Sequence, residues 1–177
     1  MKLLSKEKGE IWVRNHDLPT GGRTLRTFYK YSFVYERRLI TTTEIFLAKQ
    51  LLRYFGTDKK ENALWITQWE LSSNENMNLY TGFLKSLNEK RNLNKASFFV
   101  FNKTDLNNVE CLLDLALFFM WDTYLISPNR KLVVSPNDEF IHVSCGEEKN
   151  AKDLRELFKL MKFKEETKWF SKLPKTD

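Results

Sequence analysis

Hydrophobic and polar positions change period several times along the chain. Thr27, Tyr29, Tyr31, Phe33 and Tyr35 alternate with Phe28, Lys30, Ser32 and Val34, which predicts a strand with one aromatic face. Ile11-Trp12-Val13 is a candidate partner for it. Residues 14–24, with Gly21-Gly22 after Pro19, read as a loop. Thr41-Thr42-Thr43 then offers N-caps, and Ile45, Ala48, Leu52 and Phe55 make a helical stripe widened by Leu51. Gly56 sits where a left-handed C-terminal residue belongs.

Ala63 to Trp69 reads as a short apolar strand. Ser72-x-x-Glu75 has capping-box spacing, and Met77, Tyr80, Phe83, Leu84 and Leu87 give the next helix its buried side. The near-continuous apolar run of residues 97–101 predicts a strand covered on both faces. A helix opening at Thr104 or Asp105 carries a wide stripe: Leu106, Val109, Leu112, Leu113, Ala116, Leu117 and Met120. Turns at Pro128-Asn129 and Pro136-Asn137 separate strands at 122–127, 131–134 and 139–145, a meander. From Lys149, Ala151, Leu154, Leu157, Phe158 and Met161 return to helical spacing.

This order, β-α-β-α-β-α-β-β-β-α, predicts an α/β fold. The expectation is a single domain over 1–177, with a mixed, mostly parallel sheet, helices on both faces and a C-terminal antiparallel meander followed by a helix. Within it, 1–35 is an N-terminal strand region, 36–162 the α/β core and 163–177 a charged tail in which Trp169 and Phe170 are candidates for docking.

Composition narrows the class. Hydrophobic residues make up 42% and charged residues 29% of the 177, with 6 Gly and 4 Pro, which excludes collagenous, low-complexity and disordered chains. No apolar run has membrane-spanning length, and the start turns charged before a secretory apolar region forms. Two cysteines, Cys111 and Cys145, supply neither a disulfide framework nor a zinc site, so a reducing cytoplasm is the expected compartment.

The net charge of +6 is unevenly spread. Residues 1–60 hold 13 Lys/Arg against 6 Asp/Glu, residues 61–148 hold 7 against 12, and residues 149–177 hold 9 against 5. An acidic middle thus lies between basic ends.

Candidate chemistry is sparse. His142 and Cys145 are three apart on a predicted strand, so they point to opposite faces and make no dyad. A divalent-metal nuclease would use Asp122, Asp138 and Glu139, but the lysine of such a constellation is missing until Lys149. No phosphate loop, dinucleotide fingerprint or metal-ligand spacing is present, so neither cofactor nor metal is expected and the enzyme class trails.

Two binding readings remain. Tyr29, Tyr31, Phe33 and Tyr35, flanked by Arg26, Lys30, Arg37 and Arg38, are a candidate stacking platform for nucleic acid; the competing role for these aromatics is core packing. Alternatively, Glu70, Asp122, Asp138 and Glu139 fall near predicted strand ends and turns. In an α/β sheet such ends gather into a rim, and Tyr124, with Trp65, Trp69 or Trp121, would add aromatic anchors for a protein partner.

Two stretches carry a resemblance. Residues 66–76 read Ile-Thr-Gln-Trp-Glu-Leu-Ser-Ser-Asn-Glu-Asn. Residues 118–126 read Phe-Phe-Met-Trp-Asp-Thr-Tyr-Leu-Ile and run on to Ser135-Pro136-Asn137-Asp138-Glu139-Phe140. Together, over about residues 63–145, they resemble small bacterial immunity-type proteins of polymorphic toxin systems. In that pattern a tryptophan-containing strand precedes a Ser/Glu-capped helix, and a Trp-x-x-Tyr-like strand leads to a Ser-x-Asp-Glu turn. The chain departs from it in having Asn137-Asp138-Glu139 where such proteins often show His-Asp-Glu. The resemblance implies a non-enzymatic cytosolic inhibitor that occludes one toxin. The acidic middle would suit a basic toxin domain.

Overall fold

Ser5 opens the first helix rather than a strand. Its hydroxyl accepts from Lys8 N at 3.4 Å, Glu7 lies in the first turn, and Arg14 complements the last. The computed structural model, which describes residues 1–37, 41–55, 60–68, 74–91, 96–137 and 139–167, places β1 at Lys2–Leu4 and α1 at Lys6–Arg14. Ile11-Trp12-Val13, expected as a strand, is therefore helical. Gly9, Trp12 and Val13 share the i, i+3, i+4 stripe that α1 buries, and Gly9 lets the helix lie directly on Phe98.

Part of the expected 14–24 loop is ordered too, as a short helix α2 at Gly22–Arg26 anchored by the fully buried Leu25. The aromatic strand is shorter than its alternation suggested: β2 is Tyr31–Glu36. The remaining elements are α3 at Thr41–Phe55, β3 at Asn62–Gln68, α4 at Asn74–Ser86, β4 at Phe98–Phe101 and α5 at Leu106–Phe118. They continue with β5 at Asp122–Ser127, β6 at Leu132–Pro136, β7 at Phe140–Cys145, α6 at Glu148–Leu160 and β8 at Lys164–Glu165. Helix α5 stops before Met120, whose φ of 56° turns the chain out of the helix. Met77, expected on the buried side of α4, is exposed, while Tyr80 and Leu84 are buried. Gly56, Trp69, Ser72, Trp169 and Phe170 lie outside the described residues.

The mostly parallel sheet expected from the element order is not what forms. Eight strands join in the order β1-β4-β3-β5-β6-β7-β2-β8, and every neighbouring pair is antiparallel. The physical reason lies in where the crossovers land. β4-α5-β5 and β7-α6-β8 each join strands of the same direction, but β3 and β2 respectively stand between them. β2-α3-β3 spans three intervening strands, and β3-α4-β4 joins neighbours of opposite direction. Helical connections are thus kept while parallel ladders never form.

Residues on alternate sides of the strands feed two cores. Helices α3 to α6 cover one face over Phe33, Tyr35, Leu64, Ile66, Phe99, Phe101, Leu125, Val134, Ile141 and Val143. The opposite face, with Trp65, Phe98, Val100, Tyr124, Ile126 and Val133, is covered by α1, Leu18 and α2. At about 25 cal/mol per Å² of apolar burial, the larger helical face dominates the stabilisation.

Candidate functional site

Register aligns a single row of side chains across the α1/α2 face. It runs Leu4, Phe98, Trp65 and Tyr124, then, as the β5–β6 pairing continues, Ser135, His142 and Val34. The row is apolar at both ends and polar in the middle, directly beneath α2. There Arg26 reaches down from the helix: Nε donates to Ser135 Oγ at 3.1 Å, Nη2 meets Asp122 Oδ2 at 3.4 Å, and the guanidinium lies 5.5 Å from the Tyr124 ring centre. A cation, a carboxylate, a hydroxyl and an aromatic face thus satisfy one another in a half-dry setting.

This setting shifts the titrating groups. Burial, with Arg26's charge adding to it, pushes His142 down to about 3, so its imidazole is neutral at physiological pH. Burial raises the Tyr124 hydroxyl, against the opposing pull of Arg26. His142 faces this row and Cys145 the opposite core, where burial raises the thiol to about 12. The two are separated by the sheet, as their spacing predicted.

Beside the row is a gap in the covering layer. Between α1 and residues 20–22, above the central strands β3 and β5, lies a cleft of about 480 Å³. Trp65 and Tyr124 lie at its base, Lys6 and Glu10 line the α1 side, and Thr20, Thr67, Ser97 and the Ile66 backbone complete the lining. Gly22 packs closely on the sheet: a Cβ there would sit 2.5 Å from Tyr124 Oη, so one of the two would have to shift.

The cleft opens at one end of the sheet, and the same end holds two of the acids singled out from the sequence. Asp122 begins β5 opposite Gln68, the last residue of β3, and Glu139 immediately precedes β7. Asn137 shapes the β6–β7 turn, its Oδ1 accepting from Glu139 N at 3.1 Å and Phe140 N at 2.6 Å. Asp122 is engaged by Arg26, Tyr124 is buried at the base of the cleft, and Glu139 is exposed. Glu70 and Asp138 lie outside the described residues.

The cationic set is dispersed. Arg37 is buried; its guanidinium donates to Asn137 O at 2.5 Å and to Leu117 O, tying the β6–β7 turn to the C-terminal end of α5. Arg26 is occupied as described, Lys30 is exposed with its ammonium 5.1 Å from the Tyr31 ring, and Arg38 lies outside the described residues. Phe33 and Tyr35 are sealed beneath α6, Tyr35 stacked on Phe158 at 4.3 Å and Phe33 capped by Arg155. These two rings offer no stacking surface to a base.

Sequence reasoning missed Arg26 as the organiser of the row and the α1 side of the cleft altogether. Only Gly21-Gly22 signalled the place, and it read as part of a loop rather than as close packing. Among the described residues, no helix is long and apolar enough to cross a membrane, and no group of His, Cys, Asp or Glu is placed to hold a metal ion. Compared with known proteins, the chain matches no family model, no curated protein and no solved structure.

Proposed function

We propose that the chain is a non-catalytic protein-binding module, an immunity-type inhibitor that occludes a basic toxin domain with one end of its sheet. The observation that carries the reading is the strand register. It brings the start of β5, the β6–β7 turn and the end of β2 to one end, and with them Asp122, Glu139 and Glu36. Glu36 and Glu139 are both exposed there, Glu36 with Lys164 at 3.7 Å, while Asp122 is held by Arg26. Acids at a rim steer a cationic partner, and the adjoining cleft gives the surface relief that a specific interface needs. Tyr124 contributes from beneath, as part of the cleft base.

The test is a pull-down of the tagged full chain from native lysate, with and without nuclease, followed by titration of the recovered partner. One protein at one-to-one stoichiometry, surviving nuclease, is expected. Glu139→Lys should weaken it about tenfold or more, as charge reversal at a steering rim does. Glu148→Lys, at the opposite end of the sheet where α6 follows β7, should leave it unchanged. Recovery of nucleic acid with nuclease-sensitive proteins, or equal effects of the two reversals, would overturn the reading.

A further inference from the structure

We infer that the cleft between α1 and residues 20–22 is a binding site for a free α-amino acid with an apolar side chain. The inference goes beyond the protein-binding reading and stands on the geometry of the cleft. Its volume of about 480 Å³ falls in the range of small-molecule sites, and it lies where the covering layer parts over the two central strands.

Its chemistry is that of a zwitterion receptor. Lys6 and Glu10 are four residues apart, so they share one face of α1 with a rise of about 6 Å between them. Both line the cleft, and among the described residues neither is held in an ion pair. Lysine placed N-terminal to glutamate is also the weaker order for an i,i+4 pair, which leaves both charges available to a ligand. Lys6 stands at the start of α1, where the helix dipole adds to its pull on a carboxylate. Glu10, one turn further on, takes an ammonium. A ligand carrying one charge would satisfy one of these groups and meet repulsion from the other. A ligand carrying both, adjacent to one another, satisfies each. Thr20, Thr67 and Ser97 also line the cleft, Thr67 with its hydroxyl donating to Asp122 O at 3.2 Å and still able to accept, and Trp65 and Tyr124 form an apolar base for the side chain.

The full chain is titrated calorimetrically with the proteinogenic amino acids at millimolar concentration, with N-acetyl-L-phenylalanine and L-phenylalaninamide as blocked probes. At least one apolar amino acid should bind saturably at one-to-one, and blocking either its ammonium or its carboxylate should weaken it about tenfold or more, the scale of a lost charge-assisted hydrogen bond. Lys6→Gln and Glu10→Gln are surface changes and should each cost about tenfold while unfolding midpoints stay at the wild-type value. Absence of saturable binding by every amino acid, equal binding of the blocked probes, or indifference to both substitutions would each overturn the assignment. Loss of the protein partner by Glu139→Lys is a separate readout, so the two proposals fail independently.

Discussion

Gly22 and Tyr124 offer a direct measure of how tightly the α2 cover is fitted to the sheet. A Cβ at position 22 would lie 2.5 Å from Tyr124 Oη and 3.4 Å from Cζ. The first distance forces movement; the second is a tight contact that a small shift relieves. Tyr124 is 3% exposed and its ring is held under Arg26, so it has little room to retreat. In Gly22→Ala the overpacking costs about 1–3 kcal/mol, opposed by about 1 kcal/mol of helix propensity gained. A net loss of up to about 2 kcal/mol should lower Tm by up to about 8 °C in a chain of this length. Tyr124→Phe removes the offending oxygen at the cost of its hydrogen bonding, about 1 kcal/mol. In that background Gly22→Ala should become neutral or slightly stabilising, a coupling of about 1–3 kcal/mol between the two positions. Urea denaturation of the four proteins measures it. If Gly22→Ala costs the same with Tyr or Phe at 124, the close approach of α2 to the hydroxyl is not what glycine is there for.

Two further predictions concern pH. His142 is held neutral in the fold, near 3 against an ordinary 6.5, so the unfolded chain binds its proton first; stability is full above about pH 6.5 and falls as pH drops toward 3. Between pH 6.5 and 5 the loss should approach about 2 kcal/mol, and His142→Gln should flatten that limb in urea midpoints; an unchanged slope would refute the burial argument. Asp114, on α5, behaves oppositely: burial and the neighbouring Glu110 raise it to about 6, and its Oδ1 is buried without a hydrogen bond. Stability from this group is greatest below about pH 3.8 and is lost as pH rises to 6, so Asp114→Asn should stabilise at pH 7 by roughly 1 kcal/mol after allowance for solvent screening, with the gain vanishing near pH 4.

The alternation of strand and helix from β2 to α6 was readable from periodicity because each element buries one side, and burial writes its period into the residues. Strand neighbours were not readable. The 13 residues of α4 join antiparallel neighbours, and the 13 of α5 join parallel strands with a third between them, so length and pattern alone do not tell the two cases apart. The aromatic alternation of β2 was legible, as was the possibility that core packing claims it; α6, over 100 residues later in the chain, supplies the cover for Phe33 and Tyr35. Within the candidate site, Asp122 and Glu139 could be placed at strand ends because turns flank them. Arg26 could not be assigned, because its partners Asp122 and Ser135 lie 96 and 109 residues away and no local pattern connects them. Trp12 misled by the same logic: three apolar residues in a row fit either a strand or a helical stripe, and Ser5 and Glu7 decide it from outside the run.

The position of β2 also sets a timetable. Its ladder is built with β7, Ser32 facing Ser144 across 112 residues of chain, and its other side receives β8 later still. During synthesis an alternating Tyr-Ser-Phe-Val-Tyr segment must therefore wait, with both edges bare, until most of the chain has left the ribosome. Closing so long a loop late makes folding slow, and the waiting strand is the segment most open to pairing with a neighbouring chain. Its protection in the interval falls to Lys30 before it and to the acidic Glu36 at its end, charges that discourage edge-to-edge association until β7 arrives.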